Sequence, residues 1–255
     1  MRIVIKVGTS TLAYPSGKMN IRRVENLCKI ISDLKNAGNK VVLVSSGAIG
    51  MGMAKLGFSE RPKDMPGKQA AAAVGQCELM YAYDKMFSEY GHTVAQILIT
   101  RDDVENEERR GRFKDTVFRL LELGALSVIN ENDTVSTDEI TVGDNDTLAA
   151  IAAVSVDAEL LIILSDVDGL YTSNPKTDGS AELIKTVETI DGNIIALAGG
   201  TGSSLGTGGM ATKIKAAQIC TSAGIDMMIM NGASPELLYD AVEGKCAGTT
   251  FKGVK

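Results

Sequence analysis

Eight consecutive residues late in the chain, Gly206-Thr207-Gly208-Gly209-Met210-Ala211-Thr212-Lys213, combine the parts of an anion-binding turn. Glycines so closely spaced have no side chains to bury. They let the backbone turn tightly and bring N–H groups against something bulky and negative. The run that follows, Lys213-Ile214-Lys215-Ala216-Ala217-Gln218-Ile219-Cys220, reads as a helix, so the loop empties into a helix N-terminus. Free N–H groups and the positive end of the dipole hold phosphate there. Lys213, within about one turn of that terminus, is costly to the helix and useful to an anion. The competing reading is a flexible glycine linker.

The elements upstream decide between the two readings. Arg2-Ile3-Val4-Ile5-Lys6-Val7 is a β-branched strand that ends in Gly8-Thr9-Ser10-Thr11. Lys6 is then either a surface lysine at a strand end or a cation delivered to an anion site. Residues 20–37 carry apolar side chains at helical spacing, capped by Asn20 and stopped by Gly38. Residues 40–44 form an apolar run, as a parallel strand buried on both faces should, and end in Ser45-Ser46-Gly47-Ala48-Ile49-Gly50. This is the strand–helix–strand rhythm of a parallel sheet.

Further along, a helix is predicted over about 67–90, then a strand at 93–99. The charged run 101–112 reads as a solvated loop, leading to a helix at about 113–123. A strand over 125–129 empties into Asn130-Glu131-Asn132-Asp133. A short hairpin is expected over 135–142. Gly143-Asp144-Asn145-Asp146 then starts an alanine-rich helix, with Asp146 as a candidate N-cap. A buried strand at 159–164 leads to Ser165-Asp166-Val167-Asp168-Gly169-Leu170-Tyr171. After the glycine loop come a strand at 226–230, a helix at 235–242 and a closing strand at 248–251. The loops at 8–11, 45–47, 130–133, 143–146, 165–171 and 206–213 would therefore gather on one edge of the sheet, where open α/β folds bind ligands.

Composition narrows the chemistry. The chain has 255 residues, 44% hydrophobic and 23% charged, with 4% aromatic and no Trp, which suits an aliphatic globular core. A net charge of −6 argues against nucleic acid or an anionic membrane as partner. No run of about 18 apolar residues exists to span a membrane, and no signal peptide is expected from the strand-like opening. Four scattered cysteines and a single histidine, His92, are too few for a zinc site. The cysteines read as free thiols in a reducing cytoplasm, and His92 as a capping or packing residue. Neither the Gly-x-x-x-x-Gly-Lys-Ser/Thr loop nor the dinucleotide fingerprint fits the glycine spacings, which disfavours hydride transfer.

Taken together, Lys6-Val7-Gly8-Thr9-Ser10, Ser45-Ser46-Gly47-Ala48-Ile49, Ile129-Asn130-Glu131-Asn132-Asp133, Val142-Gly143-Asp144-Asn145-Asp146, Asp168-Gly169-Leu170-Tyr171 and the glycine loop resemble the glutamate-phosphorylating members of the amino-acid kinase family. The resemblance runs through the chain in matching order. It implies an α/β/α sandwich on a mostly parallel sheet of about eight strands, as a single domain over residues 1–255. The N-terminal part would hold L-glutamate and the C-terminal part ATP. Many relatives carry a C-terminal PUA domain, which is not expected here.

The implied reaction moves the γ-phosphoryl group of ATP to the side-chain carboxylate of glutamate, the first step towards proline. By the resemblance, Lys6 and Lys213 contact the phosphates and Asp146 orients both. Ser46, Gly47, Asp133 and Asn145 hold the acceptor. Lys6, Gly8, Ser165, Asp166, Thr207, Gly208, Gly209, Met210, Ala211, Thr212 and Lys213 line the ATP site. Relatives more often have Thr where Ser165 stands. Mg²⁺ is expected to travel with ATP, with no protein ligand assigned. A homodimer or tetramer, and proline as a feedback inhibitor, are also implied. Members acting on aspartate, N-acetylglutamate, carbamate or UMP remain open, as does a non-catalytic nucleotide sensor.

Overall fold

The computed structural model describes residues 1–14, 16–135, 145–198 and 209–254. The hairpin expected over 135–142 lies, but for Val135, outside them, as do Gly143, Asp144, Gly206, Thr207 and Gly208. The first half runs β1 (Arg2–Val7), α1 (Thr9–Leu12), α2 (Ile21–Asn36), β2 (Lys40–Ser45), α3 (Ala48–Leu56), α4 (Met65–Ser88) and β3 (Val94–Ile99). It continues through α5 (Arg101–Glu105), α6 (Glu107–Glu122) and β4 (Leu126–Glu131). The second half runs α7 (Asn145–Ser155), β5 (Leu160–Ser165), β6 (Thr186–Val187), α8 (Gly192–Leu197), α9 (Met210–Ser222), β7 (Asp226–Asn231), α10 (Leu237–Val242) and β8 (Thr249–Phe251).

Eight strands form one sheet in the order β3-β4-β2-β1-β5-β7-β8-β6. Every pairing is parallel except β7 with β8. This is the mostly parallel sheet expected from the sequence. Side chains alternate across it, and the two faces bury separate apolar clusters. Val4, Val42, Val44 and Ile129 face α6, α7 and α9. Ile3, Ile5, Val41, Leu43 and Val128 face α2, α4 and α10. Lys6 shares the face of Val4, so β1 aims it at the α7 and α9 side. Ser45 and Asn130 share the faces of Leu43 and Val128, which aims them at α4.

Several boundaries differ from the sequence reading for local reasons. The charged run at 101–112 is helical, not a loop. Thr100 and Asp103 form a reciprocal capping box, and the Asn106 side chain accepts from Arg109 N at 3.0 Å to start α6. The Glu108–Arg112 pair at 2.6 Å then spans one turn on the solvated face. Strand β4 extends to Glu131, so Asn130 and Glu131 are buried strand residues and not part of a polar loop. Helix α7 starts at Asn145, which puts Asp146 inside its first turn and not at the N-cap. The one-turn α1, β6 and α8 carry too few residues to show a periodic pattern. Where α3 crosses α4, a Cβ on Gly52 would overlap the Ala71 carbonyl and one on Gly75 the Ala48 carbonyl, so glycine permits the close approach.

Candidate active site at the carboxyl edge of the sheet

Asp146 is wholly buried, and each of its carboxylate oxygens meets a lysine. Lys6 Nζ, from the end of β1, is 2.5 Å from Oδ1; Lys213 Nζ, from the first turn of α9, is 3.1 Å from Oδ2. The two ammonium groups, 207 residues apart in the chain (213 minus 6), thus converge on one carboxylate. Burial pushes the Asp146 carboxyl up. The Lys6 and Lys213 charges and the hydrogen bonds they donate outweigh it and hold the group below the usual carboxylate range. The trio carries one net positive charge, which an incoming phosphate oxygen can neutralise.

Thr212 adds to this cluster. Its hydroxyl lies 3.0 Å from Asp146 Oδ2 and 2.8 Å from the Gly209 carbonyl, so α9 is tied to α7 through two successive residues. Gly209 is the N-cap of α9 and supplies no side-chain cap, which leaves the N–H groups of the first turn, from Met210 and Ala211 onward, available to an anion. Gly8 borders the same space: a Cβ built there would stand 3.6 Å from Lys6 Nζ. At the end of β5, beside β1, the Ser165 hydroxyl donates to Asp166 Oδ1 at 3.2 Å.

Asn145 precedes Asp146 and reaches the other way. Its Nδ2 donates to Ser46 Oγ at 2.8 Å, Asn130 Oδ1 at 3.0 Å and the Ser45 carbonyl at 3.1 Å. Gly47, at φ +106°, turns the chain into α3 in a conformation that a side chain would strain. Adjacent residues of α7 therefore serve two half-sites: Asp146 joins the lysines, and Asn145 joins the Ser46 turn. Asp133, two residues past β4, has its carboxyl pushed up to about 6 by burial and by the Glu131 charge, partly offset by Arg61.

The structure brings Lys6, Asp146, Lys213 and Thr212 into one cluster, and Asn145, Ser46 and Asn130 into another. Thr207 and Gly208 lie outside the described residues. Sequence reasoning missed two participants. Asn130 reads as an ordinary loop residue until β4 is seen to end beyond it. Gln76, whose Oε1 accepts from Asn130 Nδ2 at 2.9 Å, is a buried amide just after the alanine run of α4. A polar residue at that register is the available signal. His92 Nε2 lies 3.3 Å from the Ser32 carbonyl, away from both clusters, in keeping with its packing role.

Residues 1–231 match the amino acid kinase family. The chain is 54% identical to the glutamate 5-kinase of Clostridium tetani, over 99% of this chain and 95% of that protein. It is 51% identical to the glutamate 5-kinase of Clostridium perfringens, over 100% of this chain and 96% of that one. The fold is similar to that of carbamate kinase from Giardia lamblia bound to AMP-PNP, with a TM-score of 0.70 at 19% identity, covering 99% of this chain and 98% of that one. The chain belongs to the amino acid kinase family, alongside the glutamate 5-kinases to which it is similar.

Proposed function

We propose that this chain transfers the γ-phosphoryl group of ATP to the side-chain carboxylate of L-glutamate, forming L-glutamyl 5-phosphate and ADP. The observation that carries the reading is the buried Lys6–Asp146–Lys213 trio, within a chain about half identical to glutamate 5-kinases. One carboxylate oxygen bonds to phosphorus as the bond from phosphorus to the β-bridging oxygen breaks. The nucleophile is already ionised near neutrality, so no general base is needed. What opposes the reaction is repulsion between an anion and a triphosphate. Alignment and neutralised charge answer it.

In this reading Lys6 and Lys213 bracket the migrating group, and Asp146 keeps the two ammonium groups fixed. The first-turn N–H groups of α9, with Gly8, Ser165 and Asp166, hold the rest of ATP. Ser46, Gly47, Asp133 and Asn145 hold glutamate, with Asp133 facing its ammonium. Mg²⁺ enters as the counter-ion of ATP, on phosphate oxygens and water. The residues around the trio supply cations rather than an oxygen cage, and no cluster of three His, Cys, Asp or Glu among the described residues could hold a metal. A single kinase domain acting in the cytoplasm as a homo-oligomer, open to feedback inhibition by proline, completes the proposal. Among the described residues no helix is long and apolar enough to cross a membrane.

The acceptor panel tests the reading. With ATP and hydroxylamine, glutamate should yield a hydroxamate, because an acyl phosphate is trapped by that nucleophile. Aspartate, N-acetylglutamate and carbamate should yield little. A strong aspartate signal, or none from glutamate, defeats the assignment. The pH profile probes Asp133 separately. Its carboxyl takes up a proton as pH falls through about 6 and then no longer attracts an ammonium. At saturating ATP, kcat/KM for glutamate should therefore fall about tenfold per pH unit below that point. A profile flat down to about pH 5 removes Asp133 ionisation from substrate capture.

A further inference from the structure

We infer that Gln76, on α4, is a positioning residue for the acceptor substrate: it braces the Asn130 amide, whose sense the Glu131 N–H fixes, and through Asn130 holds in place the Asn145 amide that meets Ser46. The inference rests on reading this edge as the glutamate site.

The polarity starts from a group that can play only one part. The backbone N–H of Glu131 must donate, and it donates to the Asn130 side chain at 2.9 Å, so the receiving atom is Oδ1. Asn130 therefore turns Nδ2 to Gln76, and the atom Gln76 presents, 2.9 Å away, must be the acceptor Oε1. Asn130 Oδ1 also receives Nδ2 of Asn145 at 3.0 Å. Asn145 accordingly shows its donor end to Ser46 Oγ and turns Oδ1 the other way. Ser46 Oγ, already accepting, keeps its single proton for another acceptor. A hydroxyl proton beside an amide oxygen suits a carboxylate beside an ammonium, which is the pair every α-amino acid carries. Reversing the Asn145 amide would offer both groups the wrong polarity.

What Gln76 leaves unpaired separates this from packing. The residue is only 8% exposed, and its Nε2 has no hydrogen-bond partner among the described residues. A buried N–H that has left water without finding an acceptor lowers stability. The nearest buried residues of α4, Ala72, Gly75 and Leu79, are small or apolar. Methionine, of similar length, would fill the space with no orphaned donor. It could not accept from Asn130.

Gln76→Met therefore removes one orphaned donor, at Nε2, and creates another, at Asn130 Nδ2. The melting temperature should stay within about 3 °C of the parent. The KM for glutamate should rise about tenfold while the KM for ATP stays within about twofold. In an Asn130→Ala background, which already lacks the amide that Gln76 braces, adding Gln76→Met should change the glutamate KM by less than about threefold. An unchanged glutamate KM in Gln76→Met, an equal rise for both substrates, or a full effect of about tenfold from Gln76→Met in the Asn130→Ala background overturns the inference. So does a methionine variant that melts far lower or fails to fold, since Gln76 would then belong to packing. A parent that forms no hydroxamate from glutamate overturns the site reading itself, so the two failures are distinguished by the parent's own rate.

Discussion

Lys213→Ala is expected to lower kcat by about 10²–10³-fold, the loss of one strong donor aimed at developing charge. Lys6→Ala should cost a similar factor. The double variant should cost less than the product of the two, because both ammonium groups bear on one migrating unit. The fold should survive the single change. Removing Lys213 from the trio leaves the Lys6–Asp146 pair in charge balance. It also takes a cation away from the first turn of α9, where the helix dipole disfavours it by about 0.3–1 kcal/mol. Lys213→Ala should thus stay folded and melt closer to the parent temperature than Asp146→Asn does, while turning over far more slowly. Initial rates of ADP formation and a thermal melt measure both. A loss of less than about fivefold in both lysine variants would remove them from the phosphoryl-transfer step.

Asp146→Asn is expected to act in the opposite way on stability. It leaves two buried ammonium groups, which had shared one carboxylate at 2.5 and 3.1 Å, repelling each other without a counter-charge. Breaking a buried ion cluster on one side costs about 3–5 kcal/mol, or roughly 10 °C in Tm for a domain of this size. Turnover should fall as well, because the lysines lose their common anchor. The pH dependence supplies an internal check. The folded-state pKa of Asp146 lies below its unfolded value, so its contribution is fully present above the ordinary carboxylate range and is lost as pH falls through the depressed value. The gap in Tm between parent and Asp146→Asn should therefore narrow on acidification. A gap that stays constant to low pH would mean that the charge on Asp146 does not hold the cluster.

How much of this was legible in the chain differs by element. Helix α2 was readable at both ends, because Asn20 accepts from Arg23 N at 3.2 Å and Gly38 adopts φ +91°. The strands β1, β2 and β5 were readable because strands covered on both faces are apolar almost throughout. The run 101–112 was misread because charge density says only that a face is solvated, and a capped helix satisfies that as well as a loop does. Asn130 was misjudged for a related reason: an amide buried at the end of a strand has the same letter as one in a turn. Gln76 gave only the weak signal of a polar residue at a buried register of α4, and an amide in a helix is ordinary until its partner is known.

The sequence by itself determined the alternation of strands and helices, the glycine and hydroxyl turns after them, and the residue types able to meet an anion. These follow from local sterics, hydrophobic period and side-chain chemistry, all of which act within a few residues. The resemblance implied that Asp146 orients both lysines and that Asn145 holds the acceptor; only the tertiary structure decided that each lysine takes its own oxygen of that carboxylate, and that Asn145 is backed by Asn130 and Gln76. Those facts depend on strand order and on which face of the sheet each residue occupies, and such long-range packing brings together positions that nothing in the linear chain marks as neighbours.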